Sequence, residues 1–417
     1  MKSILPTHWR VTLLLGLVTG VAYLVRADVA VAQERMAPAV GLTMIGMGAI
    51  TAWGFQLTYA LFQVPAGMFG ERFGARSALA LALAGCSLAS FLTSAIPREG
   101  AVLALVSTRV LLGIAQAAVF PVAAMAVMVY VPVTGRVRAT AIYVATASLG
   151  AALAPLLMAP IMERFGWRAV FGLSGVIASV TAVAWVALMP PRPPHPEQHD
   201  ASRVRRGALP ELRSLVRNIP LLRLSISYLL HSAVWFVFVF WFFRYLTEGR
   251  GFTILASGLW GSLPSLTAFV LAPLIGMATD RLGRRIGSAQ ARRRVAMACL
   301  FSAAGFVTAG AVLPSAIFAI LALSLSTGCV TGAEGPFFMT ATAIGVESPG
   351  AAAGMLNLMG NLGGVLSIWL VPRMSEAWGW NGTLVFWSGV CVVAALLWLT
   401  VDIDAAAPAG AWPASCT

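Results

Sequence analysis

The chain has 417 residues, of which 59% are hydrophobic and only 10% charged, with a formal net charge of +13. Its mean hydropathy is +0.85, whereas a soluble domain carries about 25% charged residues, so an ordinary soluble enzyme or binding module is excluded. The positive balance does not point to nucleic acid either: no basic face interleaves with exposed aromatic residues, and the arginines fall in loops between apolar runs.

Apolar runs of about 20 residues, enough to cross a bilayer as a helix, recur near 11–32, 42–66, 77–96, 101–131, 139–162, 169–189, 222–246, 255–279, 295–313, 315–342, 351–372 and 383–401. The expectation is an all-α membrane protein with twelve transmembrane helices, leaving no room for a soluble domain of usual size. The start has the outline of a signal peptide, with Lys2, Arg10 and the small residues Ala30-Val31-Ala32. Cleavage there would leave an odd number of spans and remove Arg26, so a retained first helix is expected.

That first run contains "YLVRADVA", with Arg26 and Asp28 in its middle. An arginine at the centre of a span costs about 2.5–3.5 kcal/mol on insertion scales, and such a charge usually marks a pathway. Asp28 is two residues away, so it points to a different side of the helix. It is read either as a proton site or as a packing partner for Arg109 on the fourth run.

Arg72 and Arg76 follow the second run, Arg136 and Arg138 the fourth, seven arginines the sixth, and Arg281, Arg284, Arg285, Arg292, Arg293 and Arg294 the eighth, while the intervening loops carry few. This alternation places both termini in the cytoplasm of a cell whose inner membrane the chain crosses. Residues 191–220 begin rich in proline and continue with Leu209, Leu212, Leu215 and Val216 on one helical face. They read as a cytoplasmic linker with a short helix lying on the membrane. It divides an N-terminal six-helix bundle, 1–190, from a C-terminal one, 221–417.

The two halves repeat each other. "GMFGERFGAR" from Gly67 and "GMATDRLGRR" from Gly276 are 209 residues apart; "YLVR" from Tyr23 and "YLLH" from Tyr228 are 205 apart; "LGAAL" from Leu149 and "LGGVL" from Leu362 are 213 apart, as are Gly166-Trp167 and Gly379-Trp380. Four markers in one order indicate a duplicated six-helix unit.

The paired G-x-x-x-[DE]-R-x-G-x-R loops resemble the major facilitator superfamily over nearly the whole chain. That resemblance implies two pseudo-symmetric bundles with substrate bound between them at the midplane. It also implies gating loops at Gly67, Glu71 and Arg72 and at Gly276, Asp280, Arg281 and Gly283, with glycines allowing close helix approach and a tight turn. Glu71 and Asp280 would latch one state by pairing with basic residues or helix ends. "YALFQVPAG", "RVLLGIAQAAVFP", "EGPFF" and "NLMGNLGG" resemble the anion:cation symporter branch, which carries organic carboxylates; "YLVR" is similar to the first-helix motif of organophosphate antiporters.

The resemblance implies a substrate site that takes in Arg26, Tyr59, Arg109, Gln116, His231, Glu334, Asn357 and Asn361; helix packing is the alternative for Arg26 and Arg109, and interhelical hydrogen bonding for Tyr59, His231, Asn357 and Asn361. By the duplication, His231 is the counterpart of Arg26, and two cationic groups facing one cavity would bind an anion. One fixed and one titratable charge favour a carboxylate over a phosphate dianion. Depth pulls against this pairing: at 1.5 Å per residue Arg26 lies roughly 22 Å from its span's inner end and His231 roughly 14 Å. Where proton-coupled relatives carry acidic residues, this chain has Val25 and Gln116. Asp28, His231 and Glu334 are left as coupling candidates, with a facilitator or exchanger also open. Glu334 either carries a proton or answers an arginine, and Gly335-Pro336 should break or kink its helix. Arg244, Glu248 and Arg250 read as snorkelling or solvated at an outer helix end.

Catalytic motifs are missing, as are P-loop and metal-ligand spacings, so no enzyme, metal or cofactor is expected. Of the five cysteines, four lie in runs and read as packing residues. The expected function is transport of a small organic anion by a monomer in lipid, possible proton coupling included. An organophosphate exchanger, an exporter of amphipathic compounds and a transport-inactive sensor are the alternatives.

Overall fold

The computed structural model describes residues 6–97, 100–132, 136–190, 217–345 and 349–402. The expected interfacial helix of the linker lies almost wholly outside them, and of Glu71 only the helical backbone is described. Ten stretches among the described residues are long and apolar enough to cross a membrane; the longest, Ala352–Thr400, is two helices divided at Gly379. With the helix over 44–73, twelve segments result: α1 (Thr7–Ala39), α2 (44–73), α3 (75–94), α4 (Ala101–Tyr130), α5 (Arg136–Phe165), α6 (Trp167–Leu188), α7 (Ile219–Gly249), α8 (Ile254–Ile286), α9 (Ser288–Val312), α10 (Ala316–Ile344), α11 (349–378) and α12 (380–397).

The duplication is written in the backbone. Gly41 and Gly251 end the first helices of the two halves at φ 70° and 68°. Gly166 and Gly379 turn α5 into α6 and α11 into α12 at φ 79° and 68°, in a region where a side chain would be strained. The α1–α5 crossing is so close that a Cβ on Gly150 would collide with the carbonyl of Gly20, and the α7–α11 crossing sets Gly363 against the carbonyl of Leu229 in the same way. Without a hydrophobic drive between helices in lipid, such small-residue contacts hold bundles together.

The paired loop motif behaves differently from the expectation. Gly67, Gly276 and Gly283 all lie within helices, and the turns are made by Gly74 at φ 82° and Gly287 at φ 88°. In the second half the turn comes one helical turn later relative to the motif. A Cβ at Gly67 would meet only ordinary contact with Pro121, and one at Gly276 would meet open space. At neither glycine does a neighbouring helix press close.

The apolar core shows where the halves meet and where they separate. One cluster is shared by both halves, joining Leu24, Val31 and Met158 to Val234, Phe238 and Ile368 toward the end of the bundle away from the termini. Two further clusters lie toward the end bearing the termini, and each belongs to one half: Leu15, Leu79, Val122 and Trp185 in the first, Leu224, Leu300, Phe337 and Trp398 in the second. The halves are therefore sealed together at the far end and parted at the terminal end.

Candidate functional site

Arg26 sits in the middle of α1, 4% exposed. Its Nε donates to Gln116 Oε1 of α4 at 3.1 Å, and Gln116 Nε2 donates to the Ala22 carbonyl at 2.8 Å. The guanidinium carbon lies 4.3 Å from the centre of the Tyr59 ring, 4.7 Å from Tyr23 and 5.2 Å from Phe55. Each such cation–ring contact contributes about 0.5–2 kcal/mol, more as water is excluded. No carboxylate lies within ion-pair distance of Arg26 among the described residues.

The second half faces this group with Glu334 of α10, half-buried, whose Oε1 accepts from the Tyr228 hydroxyl at 3.2 Å. Tyr23 is close enough to Arg26 and Glu334 for both charges to act on its phenol, and it meets Trp235 of α7 edge-on at 6.5 Å. Two carboxamide pairs cross the seam beside the site. Gln56 Nε2 donates to Asn361 Oδ1 at 2.7 Å, and Asn357 Nδ2 donates to Gln63 Oε1 at 2.6 Å, nearer the terminal end. Gln56 is carried on a π-helical stretch, Ile50–Leu57, whose Phe55 carbonyl packs against Gly113 of α4. Widened turns of this kind often re-aim side chains at functional positions.

Two expected site residues are elsewhere. Arg109 is 2% exposed inside the first half, donating to Thr93 Oγ1 at 3.0 Å and lying 5.2 Å from the Phe171 ring. Its counter-charge is Asp28, fully buried beside Ser174 but beyond ion-pair distance of the guanidinium. This pair packs α1 against α4 and α6, on the side of α1 opposite the seam.

His231 is 3% exposed and turned into its own half. Its Nε2 contacts the Val330 carbonyl at 2.7 Å, and its ring stacks on Tyr228 at 5.1 Å. The close crossings explain why. They pair Gly20 with Leu229, a register of 209, which Gly41 and Gly251 support at 210. In that register the counterpart of Arg26 is Trp235, and His231 lies one turn nearer the terminal end. The same slip, about 6 Å along the helix, accounts for most of the unequal depths of Arg26 and His231.

Other expectations are also revised. Helix α10 runs unbroken through Gly335 and Pro336. Arg244 does not snorkel: it lies 3.7 Å from Glu34 of α1 and 2.9 Å from Glu248, which also accepts from Trp380 Nε1 at 3.2 Å. Arg250 caps the end of α9, donating to the Gly310 and Leu313 carbonyls at 2.8 and 3.1 Å. Gln33 Nε2 adds a bond to the Phe240 carbonyl at 3.2 Å, so the far end is tied across the seam by polar contacts as well as apolar ones. At the terminal end Asp280 and Arg281 are exposed, with no ion pair among the described residues.

Sequence reasoning did not single out Gln56, Gln63 or Glu34, and used Tyr23 and Tyr228 only as repeat markers. The seven-residue spacing of Gln56 and Gln63 on one apolar helix was a usable signal, since i and i+7 share a face.

Twelve membrane-crossing helices in two duplicated halves, closed at one end around a polar centre, define the class of two-bundle membrane proteins in which one half rocks against the other. The chain belongs to the Major Facilitator Superfamily, whose family model matches residues 13–368. It is similar to the probable galactarate/D-glucarate transporter GudP of Bacillus subtilis (strain 168), 26% identical over 94% of this chain and 90% of that protein. It is likewise similar to the D-galactonate transporter of Escherichia coli O6:H1, 26% identical over 92% of this chain and 93% of that one. Among solved structures, a bacterial homologue of the human lysosomal transporter Spinster, inward-facing and occupied, matches with a TM-score of 0.78 at 16% identity, covering 97% of this chain and 98% of that one.

Proposed function

We propose that this chain carries a small organic anion, a carboxylate, across the inner membrane by alternating access, with the Arg26 guanidinium receiving the anion. The observation that carries this reading is the state of Arg26. It lies mid-membrane at the seam, held by a neutral carboxamide and aromatic rings, with no paired carboxylate among the described residues. A cation so placed binds an incoming carboxylate by charge-assisted hydrogen bonds that water competes with poorly. The phenols of Tyr23 and Tyr59 and the amide of Asn361 supply neutral groups suited to hydroxyl oxygens. The similarity to sugar-acid transporters supports the same substrate class.

Arginines in alternate loops favour cytoplasmic termini, which makes the described arrangement closed to the outside and parted toward the cytoplasm. The Gln63–Asn357 bond then lies between the site and the cytoplasm and opens for passage. The Glu34–Arg244 pair parts when the far end opens, and Asp280 engages a partner when the terminal end closes. Glu334 is the coupling carboxylate if the cycle moves a proton, because it faces the substrate space. Asp28 instead balances Arg109 within the first half, and the single chain is the transporting unit.

Counterflow in proteoliposomes tests the reading. Vesicles preloaded with a sugar acid should accumulate the labelled acid, and Arg26→Ala should abolish this while the protein stays inserted and monodisperse. Exchange of neutral or cationic amphipathic compounds without exchange of any carboxylate contradicts it.

A further inference from the structure

Among the described residues, two opposite charges stand beside the aromatic groups of the seam. Arg26 enters from the first half and Glu334 from the second. The other ionisable candidates are withdrawn: Arg109 is sealed inside the first half opposite Asp28, and His231 is turned onto the Val330 carbonyl. Arg26 and Glu334 do not neutralise each other, since no ion pair joins them among the described residues and the polar contact of Glu334 there is the Tyr228 hydroxyl. The Tyr23 phenol feels both charges, and its ring touches the guanidinium on one side and meets Trp235 of the second half at 6.5 Å.

From this geometry, and resting on the transport function proposed above, we propose that the site selects a monocarboxylate whose opposite end carries hydrogen-bond donors. The carboxylate of the guest lies against Arg26, and its hydroxyl or ammonium donors lie toward Glu334. A dicarboxylate of the same length brings its second negative charge against Glu334, where like charges in a half-buried site repel and no second cation compensates. Selection here is a repulsion built into the second half as much as an attraction built into the first.

A matched six-carbon series tests this at pH 7.5: gluconate with one carboxylate, glucarate with two, and sorbitol with none. Binding is read by thermal shift of the purified full chain, and exchange by counterflow. The expected ranking is gluconate first, glucarate weaker by about tenfold or more, and sorbitol without measurable binding. Glu334→Gln, which keeps the shape and removes the charge, should bring glucarate to within about threefold of gluconate. The ranking in the unaltered chain needs no variant and stands if Glu334→Gln fails to fold. Glucarate binding as tightly as gluconate overturns the inference, as does an unchanged ratio in a folded Glu334→Gln or no binding of either acid. The two readings fail separately: tighter glucarate binding that still requires Arg26 keeps the anion transporter and removes only the monocarboxylate preference. Acid binding indifferent to Arg26→Ala removes both.

Discussion

Gln116 and Arg26 hold each other's helices in a reciprocal clasp: Arg26 Nε donates to Gln116 Oε1 at 3.1 Å, and Gln116 Nε2 returns a bond to the Ala22 carbonyl one turn before Arg26. The clasp fixes the guanidinium without cancelling its charge. Gln116→Glu should cancel it. Substrate affinity should fall about tenfold or more at neutral pH, because an internal carboxylate now competes for the cation. The loss should reverse on acidification, since protonating the new carboxyl restores a neutral partner, so affinity rises as pH falls. Counterflow KM measured from pH 5 to 8 in parent and variant checks this; a pH-independent KM equal to that of the parent contradicts it.

Asp28 and Arg109 make a different kind of pair, buried within one half and away from the seam. Removing one charge strands the other. Asp28→Asn alone should lower the unfolding temperature of the purified protein, because the buried Arg109 charge is then uncompensated. The double variant Asp28→Asn with Arg109→Gln should recover part of that loss, which a double-mutant cycle in thermal unfolding reads directly. Additive losses in the double variant would show that the two charges do not act together.

At the far end, Glu34 and Arg244 are each 17% exposed and 3.7 Å apart across the seam, and Arg244 keeps Glu248 as a second partner. When the halves part, Arg244 therefore loses one carboxylate and retains the other. Glu34→Gln should shift the balance toward the far-end-open state by about twofold to fivefold, the size of a partly exposed ion pair. A cysteine placed at the buried Val31, with native cysteines removed, should label correspondingly faster with an impermeant maleimide from the far side. Unchanged labelling would remove this pair from the gate.

The crossing glycines give a structural prediction. Gly150→Val and Gly363→Val each force a branched side chain into a backbone carbonyl of the neighbouring helix. Both should destabilise the protein sharply, by about 3 kcal/mol or more, or prevent recovery of monodisperse protein. Gly305→Val, where a Cβ meets nothing within 4 Å, should behave like the parent.

Much of this architecture is legible in the chain. Long apolar runs give the helices, because in lipid every backbone group must be satisfied within its own segment. Repeated glycine and aromatic markers give the two halves. The register between α1 and α7 is not legible. "YLVR" and "YLLH" align well, but the true offset differs by four residues, and a four-residue slip returns a side chain to nearly the same face. The α1–α5 and α7–α11 crossings, together with the helix-ending glycines Gly41 and Gly251, distinguish His231 from Trp235 as the counterpart of Arg26. The turn glycine of the second half is hidden for a similar reason: Gly283 matches the motif, but the helix continues one turn to Gly287. The packing of α4 and α6 around α1 decides between the two sequence readings of Asp28: it balances Arg109 within the first half, a partnership the sequence offered but could not choose over a proton site.

The most direct test of the central claim is an equilibrium titration of purified Arg26→Ala. The ligand is the carboxylate that best protects the parent from heat, and the parent and Arg26→Lys are run alongside. The account predicts a monodisperse Arg26→Ala protein whose affinity has fallen by about a hundredfold or more, with partial recovery in Arg26→Lys. An Arg26→Ala protein that binds the same carboxylate within about twofold of the parent contradicts it.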